Sequence, residues 1–316
     1  MSWQPLRDAC EHETPFQGRF CVNSGGFLVH YPSHHPTHLS LPPYPSLYNH
    51  MKTIAFIGAG RMASAIVQGL LQQKLYEPAA ISCCSGPDDT GKNLSAQTGI
   101  QYCGNPADFD PDTDLFVLAC KPQQIDDIDP ALPKLVEGKT VLSIVAGKTI
   151  ASLRDKFPGA QLIIRTMPNT PGSIGEGVTG YAPEKELDAG TQNAIEAILG
   201  TLGHYLQVPE EQIDAITAIS GSGPAYFFQF TNALAQAGLD IGLNEEQAQL
   251  LAARTFIGAA KLLEQSGQAP TELRNAVTSP GGTTQAALES FEANGLEQLV
   301  TEAAQAAKQR SIELSG

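Results

Sequence analysis

Two glycines that directly follow an apolar segment give the strongest chemical signal in this sequence. Residues 53–57 read Thr-Ile-Ala-Phe-Ile, and Gly58-Ala59-Gly60-Arg61-Met62-Ala63 comes next. In a strand-to-helix turn, Gly58 would permit a tight bend, and Gly60 would let a pyrophosphate approach backbone N–H groups at the helix N-terminus. Ala63 occupies the third small position, where the helix packs closely on the strand. The spacing predicts a dinucleotide site at this turn.

The segments around the turn strengthen this prediction, because glycine-rich turns also occur without a ligand. After the turn, apolar residues fall on one helical face: Ala63, Ile66, Val67, Leu70 and Leu71. A second predicted strand, residues 79–84, follows within the span of about 30 residues that a strand–helix–strand unit needs. The pattern therefore indicates a Rossmann-like unit.

The end of the second predicted strand bears on which nicotinamide cofactor is used. An acidic residue there would bond the ribose 2′-OH and repel a 2′-phosphate. The chain instead continues Ser85-Gly86-Pro87, with Asp88 and Asp89 only later and Lys92 beyond them. Because hydroxyl and backbone N–H groups here could donate hydrogen bonds to a phosphate, the sequence predicts NADPH, with NADH as the alternative.

Three more apolar segments are predicted to be strands whose carboxyl ends meet at the cofactor edge of the sheet. Residues 114–122 end in Lys121-Pro122, residues 140–147 end in Ala146-Gly147, and residues 162–171 end in a loop with two prolines. Lys121 is expected to contact cofactor or substrate, although a plain surface lysine also fits. The proline-containing loop suits a simple strand exit and a ligand-facing role equally well.

From Ile213 onward, the apolar residues recur with helical periodicity, which marks a change of domain. The sequence predicts an α/β protein with a Rossmann-like dinucleotide-binding domain over residues 51–209 and an all-α helical domain over residues 210–316. In the first helix of that domain, the glycines and serines of residues 220–226 allow close approach of either another helix or a ligand. Residues 1–50, rich in proline and histidine, are expected to be a poorly ordered extension or the product of an upstream start codon.

A second candidate anion site lies near the C-terminal end, at Ser279-Pro280-Gly281-Gly282-Thr283-Thr284. A helix is predicted to begin here and to end at Asn294-Gly295. Glycines, threonine hydroxyls and unpaired N–H groups at a helix start suit a carboxylate, because the helix dipole also favours negative charge. An ordinary helix N-cap is the alternative, but a cap needs only one hydroxyl.

Composition limits the classes of function. The net charge of −14 argues against a nucleic-acid partner, because phosphate backbones require a basic face. No apolar run reaches the length of about 18 residues that a membrane span needs. The six cysteines show neither metal-ligand spacing nor a disulfide pattern, so we expect no metal and a reducing, cytoplasmic compartment. Cys83 and Cys84 are expected to be small buried residues on opposite faces of a strand.

General acids and bases are scarce in the body of the chain. Six of the seven histidines lie in residues 1–50, and His204 sits in a predicted strand where a structural role is favoured. No catalytic acid or base is therefore assigned. Hydride transfer to an already protonated C=N group needs little of either, because the cofactor supplies the difficult step.

The chain from Met51 onward resembles the pyrroline-5-carboxylate reductases. The similarity rests on six motifs in family order: residues 56–60, Lys121-Pro122, Ala146-Gly147, Met167-Pro168-Asn169-Thr170-Pro171, residues 220–226 and residues 279–284. The resemblance implies reduction of Δ1-pyrroline-5-carboxylate to L-proline by NAD(P)H, the last step of proline biosynthesis. It also implies dimerisation through the helical domain, often as a ring of dimers, with an active site between domains that uses both subunits.

The resemblance further implies which residues form the site. The cofactor would contact Ile57, Gly58, Ala59, Gly60, Arg61, Met62, Ser85, Asn105, Ala119, Cys120, Lys121, Pro122, Val145, Ala146 and Gly147. The imino-acid substrate would contact Glu210, Ser279, Gly282, Thr283 and Thr284. The chain departs from the family at Arg61, where Asn or Gln is common, and at Ala276, where some members have Asn; both departures bear on cofactor preference.

Two other functions fit parts of the pattern. A β-hydroxyacid dehydrogenase would share the nucleotide domain but relies on a lysine in the helical domain, where only Lys261 and Lys308 are available. A non-catalytic NADPH-sensing regulator would keep the glycine turn and would need no carboxylate-binding loop. Reduction of a keto acid would identify the first, and cofactor binding without turnover the second.

Overall fold

An eight-stranded sheet organises the computed structural model, which describes residues 51–125 and 127–315. The expectations for residues 1–50 lie outside the described residues. The strands are β1 (Ile54–Ile57), β2 (Ile81–Cys84), β3 (Gln101–Tyr102), β4 (Leu115–Leu118), β5 (Thr140–Ser143), β6 (Leu162–Met167), β7 (Gly177–Pro183) and β8 (Gly203–Gln207). Their order is β3-β2-β1-β4-β5-β6-β7-β8, and neighbours are parallel except for the antiparallel β6–β7 pair.

The central strands are buried on both faces, which explains why they read as continuous apolar runs. β1 pairs with β2 through Ile54 and Ile81 and with β4 through Ile54 and Leu115. Adjacent side chains point to opposite faces of the sheet and enter two separate apolar clusters. As predicted, Cys83 belongs to one cluster and Cys84 to the other.

Helices cover both faces of the sheet and make up the C-terminal part of the chain. The first group is α1 (Arg61–Gln72), α2 (Thr90–Thr98), α3 (Leu132–Leu135), α4 (Ile150–Lys156) and α5 (Ala189–Gly200). The second group is α6 (Ile213–Ile216), α7 (Gly223–Asp240), α8 (Glu245–Ser266), α9 (Pro270–Ala276), α10 (Thr283–Ala293) and α11 (Leu296–Ser315). The predicted fold class, a Rossmann-like domain followed by an all-α domain, is confirmed.

Several element bounds differ from the sequence-based expectation. Residues 78–80 form a 3₁₀ turn, because Pro78 occupies its first position, so β2 starts only at Ile81. β5 ends at Ser143, and the chain continues to Gly147 as a turn. The long helix expected after Ile213 is interrupted by a π-helical turn, Thr217–Gly221.

The helical part leaves many large apolar side chains in contact with solvent in the single chain. Those more than half exposed on α7, α8 and α11 are Phe227, Phe228, Leu250, Leu251, Leu262, Leu299, Val300 and Leu314. A patch of this extent is typical of a protein–protein interface. Within the residues that the structure describes, none of the helices has the length and apolar content to cross a membrane.

Candidate functional site

The carboxyl ends of β1, β2, β4 and β5 meet at one edge of the sheet, as predicted. Backbone hydrogen bonds join the turns that follow them. The N–H of Gly58 donates to the carbonyl oxygen of Cys84 at 3.0 Å, and the N–H of Ala119 donates to the carbonyl oxygen of Ile57 at 2.8 Å. The N–H of Ile144 continues the series, 3.0 Å from the carbonyl oxygen of Leu118. The first residues of each predicted cofactor segment therefore lie side by side.

The two glycines of the first turn have different physical requirements. Gly58 has φ of 106°, and a Cβ at this position would lie 2.5 Å from the carbonyl oxygen of Ala119. Gly60 has an ordinary φ of −71° and is the N-cap of α1, without a side-chain cap bond. Apart from Gly60 itself and its two chain neighbours, no described residue has an atom within 4 Å of a Cβ at Gly60. Gly58 is therefore required by the fold, whereas Gly60 leaves open space in front of a helix N-terminus.

Hydroxyl groups and one lysine collect at the end of β2. The Ser85 hydroxyl donates to the carbonyl oxygen of Asp88 at 3.1 Å. The Asp88 carboxylate accepts hydrogen bonds from the side chain and the N–H of Thr90, which lower its pKa, and the charge of Lys121 lowers it further. Asp88 is thus an exposed carboxylate four residues beyond the end of β2, in the turn where an acidic residue would oppose a 2′-phosphate.

The remaining predicted cofactor residues flank the same edge. Ala119, Cys120, Lys121 and Pro122 form the turn after β4, and Lys121 anchors it by donating its N–H to Gln124 Oε1 at 2.8 Å. Burial raises the pKa of the Cys120 thiol to about 11, so this thiol stays protonated at neutral pH. Asn105 is exposed after β3 and donates its N–H to Asp108 Oδ2 at 3.1 Å.

The turn after β5 holds Val145, Ala146 and Gly147. Val145 is buried and Ala146 is exposed. Gly147 has φ of 73°, and a Cβ there would lie 3.0 Å from the backbone oxygen of Leu314, near the end of α11. The Thr149 side chain then caps α4 by accepting the N–H of Ser152. The C-terminal helix therefore packs directly on this turn.

The predicted carboxylate-binding loop precedes α10. The helix begins at Thr283 with Gly282 as N-cap, and no side chain caps it. Ser279 and Thr283 are exposed, whereas Gly282 and Thr284 are partly buried. The N–H of Gly281 donates to Gln285 Oε1 at 2.7 Å, and the N–H of Gly282 donates to the carbonyl oxygen of Ser279 at 3.0 Å. An ordinary Ser or Thr cap is therefore not what this cluster provides.

Glu210 lies in the 3₁₀ turn Glu210–Gln212 before α6, and its side chain contacts the start of α4 and an arginine that the sequence did not single out. Its Oε1 accepts the N–H of Ile150 at 2.7 Å and lies 3.3 Å from Nη1 of Arg165. Among the described residues, no bond joins Glu210 to the loop before α10. An arginine inside the apolar strand β6 was the available sequence signal, because a buried charge requires a partner.

The proline-containing loop after β6 contains a second missed residue. Asn169 is only 8% exposed. Its Nδ2 donates to the carbonyl oxygen of Ser220 at 3.1 Å, and its Oδ1 accepts the N–H of Val178 at 2.9 Å. The Tyr226 hydroxyl donates to the carbonyl oxygen of Ala218 at 2.9 Å. These bonds hold the π-helical turn, so the small residues of this segment serve packing at least in part.

A surface groove opens beside the glycine turn. It has a volume of about 410 Å³ and lies between α1 and α2. Gly60, Arg61 and Ser64 line one side, and Thr90 and Asn93 line the other. Arg61 thus presents its charge beside the turn that follows β1, in place of the amide side chain common in the resembled family.

Comparisons with known proteins agree with this geometry. A family model described as pyrroline-5-carboxylate reductase dimerisation matches residues 210–314, and one described as NADP oxidoreductase, coenzyme F420-dependent, matches residues 53–147. Pyrroline-5-carboxylate reductase from Pseudomonas aeruginosa is 40% identical over 83% of this chain and 96% of its own length. Pyrroline-5-carboxylate reductase 2 from Bacillus subtilis is 34% identical over 84% and 95%.

Solved structures show the same similarity. A pyrroline-5-carboxylate reductase from Coxiella burnetii aligns with a TM-score of 0.78 and 35% identity, covering 85% of this chain and all of that one. The Plasmodium falciparum pyrroline carboxylate reductase, solved with NADP bound, aligns with a TM-score of 0.71 and 28% identity, covering 84% of this chain and 100% of that one. A β-hydroxyacid dehydrogenase or a regulator without catalysis is not favoured by these relatives.

Proposed function

The chain belongs to the pyrroline-5-carboxylate reductase family, and we propose which of its residues bind the cofactor and which bind the substrate in the reaction of this family. The enzyme reduces Δ1-pyrroline-5-carboxylate to L-proline with NAD(P)H, the last step of proline biosynthesis. The nicotinamide cofactor supplies the hydride. The chain's own residues bind and orient the two reactants, and the domains that we assign to these tasks are residues 51–209 and residues 210–316.

The cofactor is held at the carboxyl edge of the sheet. The observation that supports this assignment is the open space at Gly60, where the N–H groups at the start of α1 have no side-chain cap. The proposed contacts are Ile57, Gly58, Ala59, Gly60, Arg61, Met62, Ser85, Asn105, Ala119, Cys120, Lys121, Pro122, Val145, Ala146 and Gly147. Their segments follow adjacent strands, so one extended ligand could touch them together.

We propose that NADPH is preferred over NADH. Ser85, Lys121 and Arg61 supply a hydroxyl and two positive charges near the proposed 2′-phosphate. Asp88 opposes a phosphate at this place, but its carboxylate is already engaged by Thr90 and lies close to the charge of Lys121. The balance of charge therefore favours the phosphorylated cofactor.

The substrate carboxylate binds at the loop before α10. Ser279, Thr283 and Thr284 would contribute hydroxyls, and Gly282 would leave the backbone N–H groups accessible. The uncapped start of α10, an 11-residue helix, supports this proposal, because its first N–H groups and its dipole both favour an anion. Glu210 has its Oε1 bound by Ile150 and Arg165, and no described residue bonds its Oε2, so Oε2 could accept a hydrogen bond from the protonated imine nitrogen.

No protein acid or base is assigned to the hydride transfer. The imine nitrogen is protonated before the step, and the product amine keeps that proton. His204 lies exposed on β8, and β8 does not lead into any of the turns proposed to bind the cofactor. Catalysis therefore rests on holding the reacting carbon against the cofactor and on excluding water from it.

The active site is completed by self-association through the helical domain. The loop before α10 is largely exposed in the single chain, as are the apolar side chains of α7, α8 and α11. A second copy packed on this surface would enclose the loop. We propose that dimers form in this way and assemble further into a ring. We also place the enzyme in the cytoplasm, because Cys83, Cys84, Cys103 and Cys120 are free thiols, as a reducing compartment would maintain.

Replacement of Lys121 tests the proposed cofactor preference. Lys121→Ala should raise the KM for NADPH about tenfold or more and leave the KM for NADH nearly unchanged, because a hydrogen bond to a charged group contributes about 1.5–3 kcal/mol. Lys92→Ala is the matched control, since Lys92 is exposed and pairs with Asp89 on α2. Equal effects of Lys121→Ala on both cofactors would refute the assignment.

A further inference from the structure

Arg165 is a buried charge that the proposed reaction does not use. Its side chain is 4% exposed, although it lies in the apolar strand β6. Nη1 lies 3.3 Å from Glu210 Oε1, and Nη2 lies 3.0 Å from Asp214 Oδ1. Burying a guanidinium is costly unless its partners have good geometry. The two carboxylates therefore fix the guanidinium in one orientation.

Each carboxylate also accepts a hydrogen bond from a second element. Glu210 Oε1 accepts the N–H of Ile150, at the start of α4, at 2.7 Å. Asp214 Oδ1 accepts the hydroxyl of Ser311, on α11, at 2.8 Å. Ser311 is buried, although most of α11 is exposed. Arg165 thus connects β6 to the start of α4 through one carboxylate and to the end of α11 through the other.

Both connected elements border the turn after β5. Ile150 follows Gly147 by three positions. The backbone oxygen of Leu314, one helical turn beyond Ser311, lies 3.0 Å from the position of a Cβ at Gly147. One side of the turn is therefore fixed by α4 and the other by α11, and both are tied to the same guanidinium.

We propose that Arg165, Asp214 and Ser311 are positioning residues for the cofactor, because they hold the turn of residues 145–149 in its binding conformation. The inference rests on the proposed function in one respect, namely that the cofactor binds at this turn. None of the three residues needs to touch the cofactor. Loosening α11 from Asp214 would let the turn move, and the cofactor would have to restore its order on binding.

Ser311→Ala tests the proposal with little risk to folding, because it removes one hydroxyl from a helix. Isothermal titration of the full-length protein with NADPH should show a Kd raised about three- to tenfold. This is less than the change expected for loss of a direct hydrogen bond to a charged group, because the Ser311 hydroxyl acts on the cofactor only through the turn. Thr301→Ala is the matched control on α11. The Thr301 hydroxyl donates only to the carbonyl oxygen of Glu297 in its own helix, so the Kd should stay at the wild-type value.

Kinetics and a melting curve separate positioning from a purely structural role. Positioning predicts that Ser311→Ala raises the KM for NADPH and leaves kcat at saturating NADPH and the KM for the imine nearly unchanged. A structural role alone would lower Tm and leave the Kd measured well below Tm unchanged, and that result would overturn the proposal. Arg165→Gln should raise the Kd further than Ser311→Ala does.

Ala146→Phe distinguishes failure of this inference from failure of the proposed function. Ala146 is exposed in the turn itself, so a large side chain should weaken NADPH binding directly. If Ala146→Phe raises the Kd and a folded Ser311→Ala does not, the positioning role is wrong and the cofactor site stands. If neither changes the Kd, the cofactor does not bind at this turn and both proposals fall.

Discussion

Replacement of Gly60 by alanine should move stability and cofactor affinity in opposite directions. Gly60 has φ of −71° and ψ of −177°, which alanine adopts without strain. Beyond residue 60 and its two chain neighbours, no described atom lies within 4 Å of the added Cβ. Gly60→Ala should therefore stabilise the protein by about 0.4–1 kcal/mol, because alanine lowers the conformational entropy of the unfolded chain.

The same methyl group would occupy the space in front of the N-terminus of α1. If a pyrophosphate lies there, it must move away from the backbone N–H groups. Loss of one hydrogen bond to a charged group costs about 1.5–3 kcal/mol, which corresponds to a Kd for NADPH raised about ten- to 150-fold. Gly60→Val should weaken binding more than Gly60→Ala does.

Gly58→Ala is the matched comparison within the same turn. Its φ of 106° is strained for alanine, and its Cβ would lie 2.5 Å from the carbonyl oxygen of Ala119. This variant should lose stability as well as affinity. Thermal denaturation without cofactor and NADPH titration measure the two effects separately. A Gly60→Ala protein that is stable and binds NADPH with wild-type affinity would refute the proposed pyrophosphate position.

Further predictions concern the substrate loop, an ion pair, the interface and one thiol. Thr284→Ala should raise the KM for the imine about tenfold or more, because a hydrogen bond to a charged group is lost; unchanged KM and kcat would refute its role. Glu184 accepts two hydrogen bonds from the Arg154 guanidinium, which lower the pKa of Glu184. A carboxylate with a depressed folded-state pKa stabilises above its unfolded pKa, so Glu184→Gln should cost about 1 kcal/mol at pH 7, and the difference should vanish as the pH falls below the folded-state pKa; a constant difference in denaturant titrations would contradict this. Phe228 is 66% exposed in the single chain and lies in the proposed interface. Phe228→Glu should give a monomer by size-exclusion chromatography with light scattering, and this monomer should be inactive; an active oligomer would exclude this surface as the interface. Cys120 is partly exposed, and burial raises the pKa of its thiol to about 11, so iodoacetamide at pH 7.5 should alkylate Cys120 much more slowly in the folded protein than in the unfolded protein; equal rates would contradict the raised pKa.

The sheet core could be predicted from sequence because its signals are local. β1 and β4 are continuous apolar runs, and the face of α1 repeats with helical periodicity. β3 has only two residues, too few to give a pattern. β7 contains Gly177 and Gly180 and runs antiparallel to β6, so it resembles neither a buried parallel strand nor a hairpin partner.

The contacts around Arg165 could not be predicted for a different reason. Its bond to Glu210 spans 45 positions in the sequence, and the bond from Ser311 to Asp214 spans 97. Periodicity gives the face on which a residue lies but not its partner on another element. An arginine in an apolar strand does indicate a buried partner, although the identity of that partner requires the folded chain.

The uncapped start of α10 illustrates what sequence motifs add. The cluster of glycines and threonines predicted either a cap or an anion site. In the structure Gly282 is the N-cap of α10, so no hydroxyl side chain caps this helix. The explanation as an ordinary Ser or Thr cap is therefore wrong. Among the described residues, no hydrogen bond joins this loop to Glu210, and the role of the loop in substrate binding stays a prediction.

Conversion of Δ1-pyrroline-5-carboxylate to L-proline by the full-length protein is the decisive measurement of its activity. Product analysis should be carried out with NADPH and NADH in parallel while oxidation of each cofactor is followed. We expect one L-proline for each cofactor molecule oxidised, with the higher kcat/KM for NADPH. A protein that binds NADPH and forms no proline would contradict this expectation.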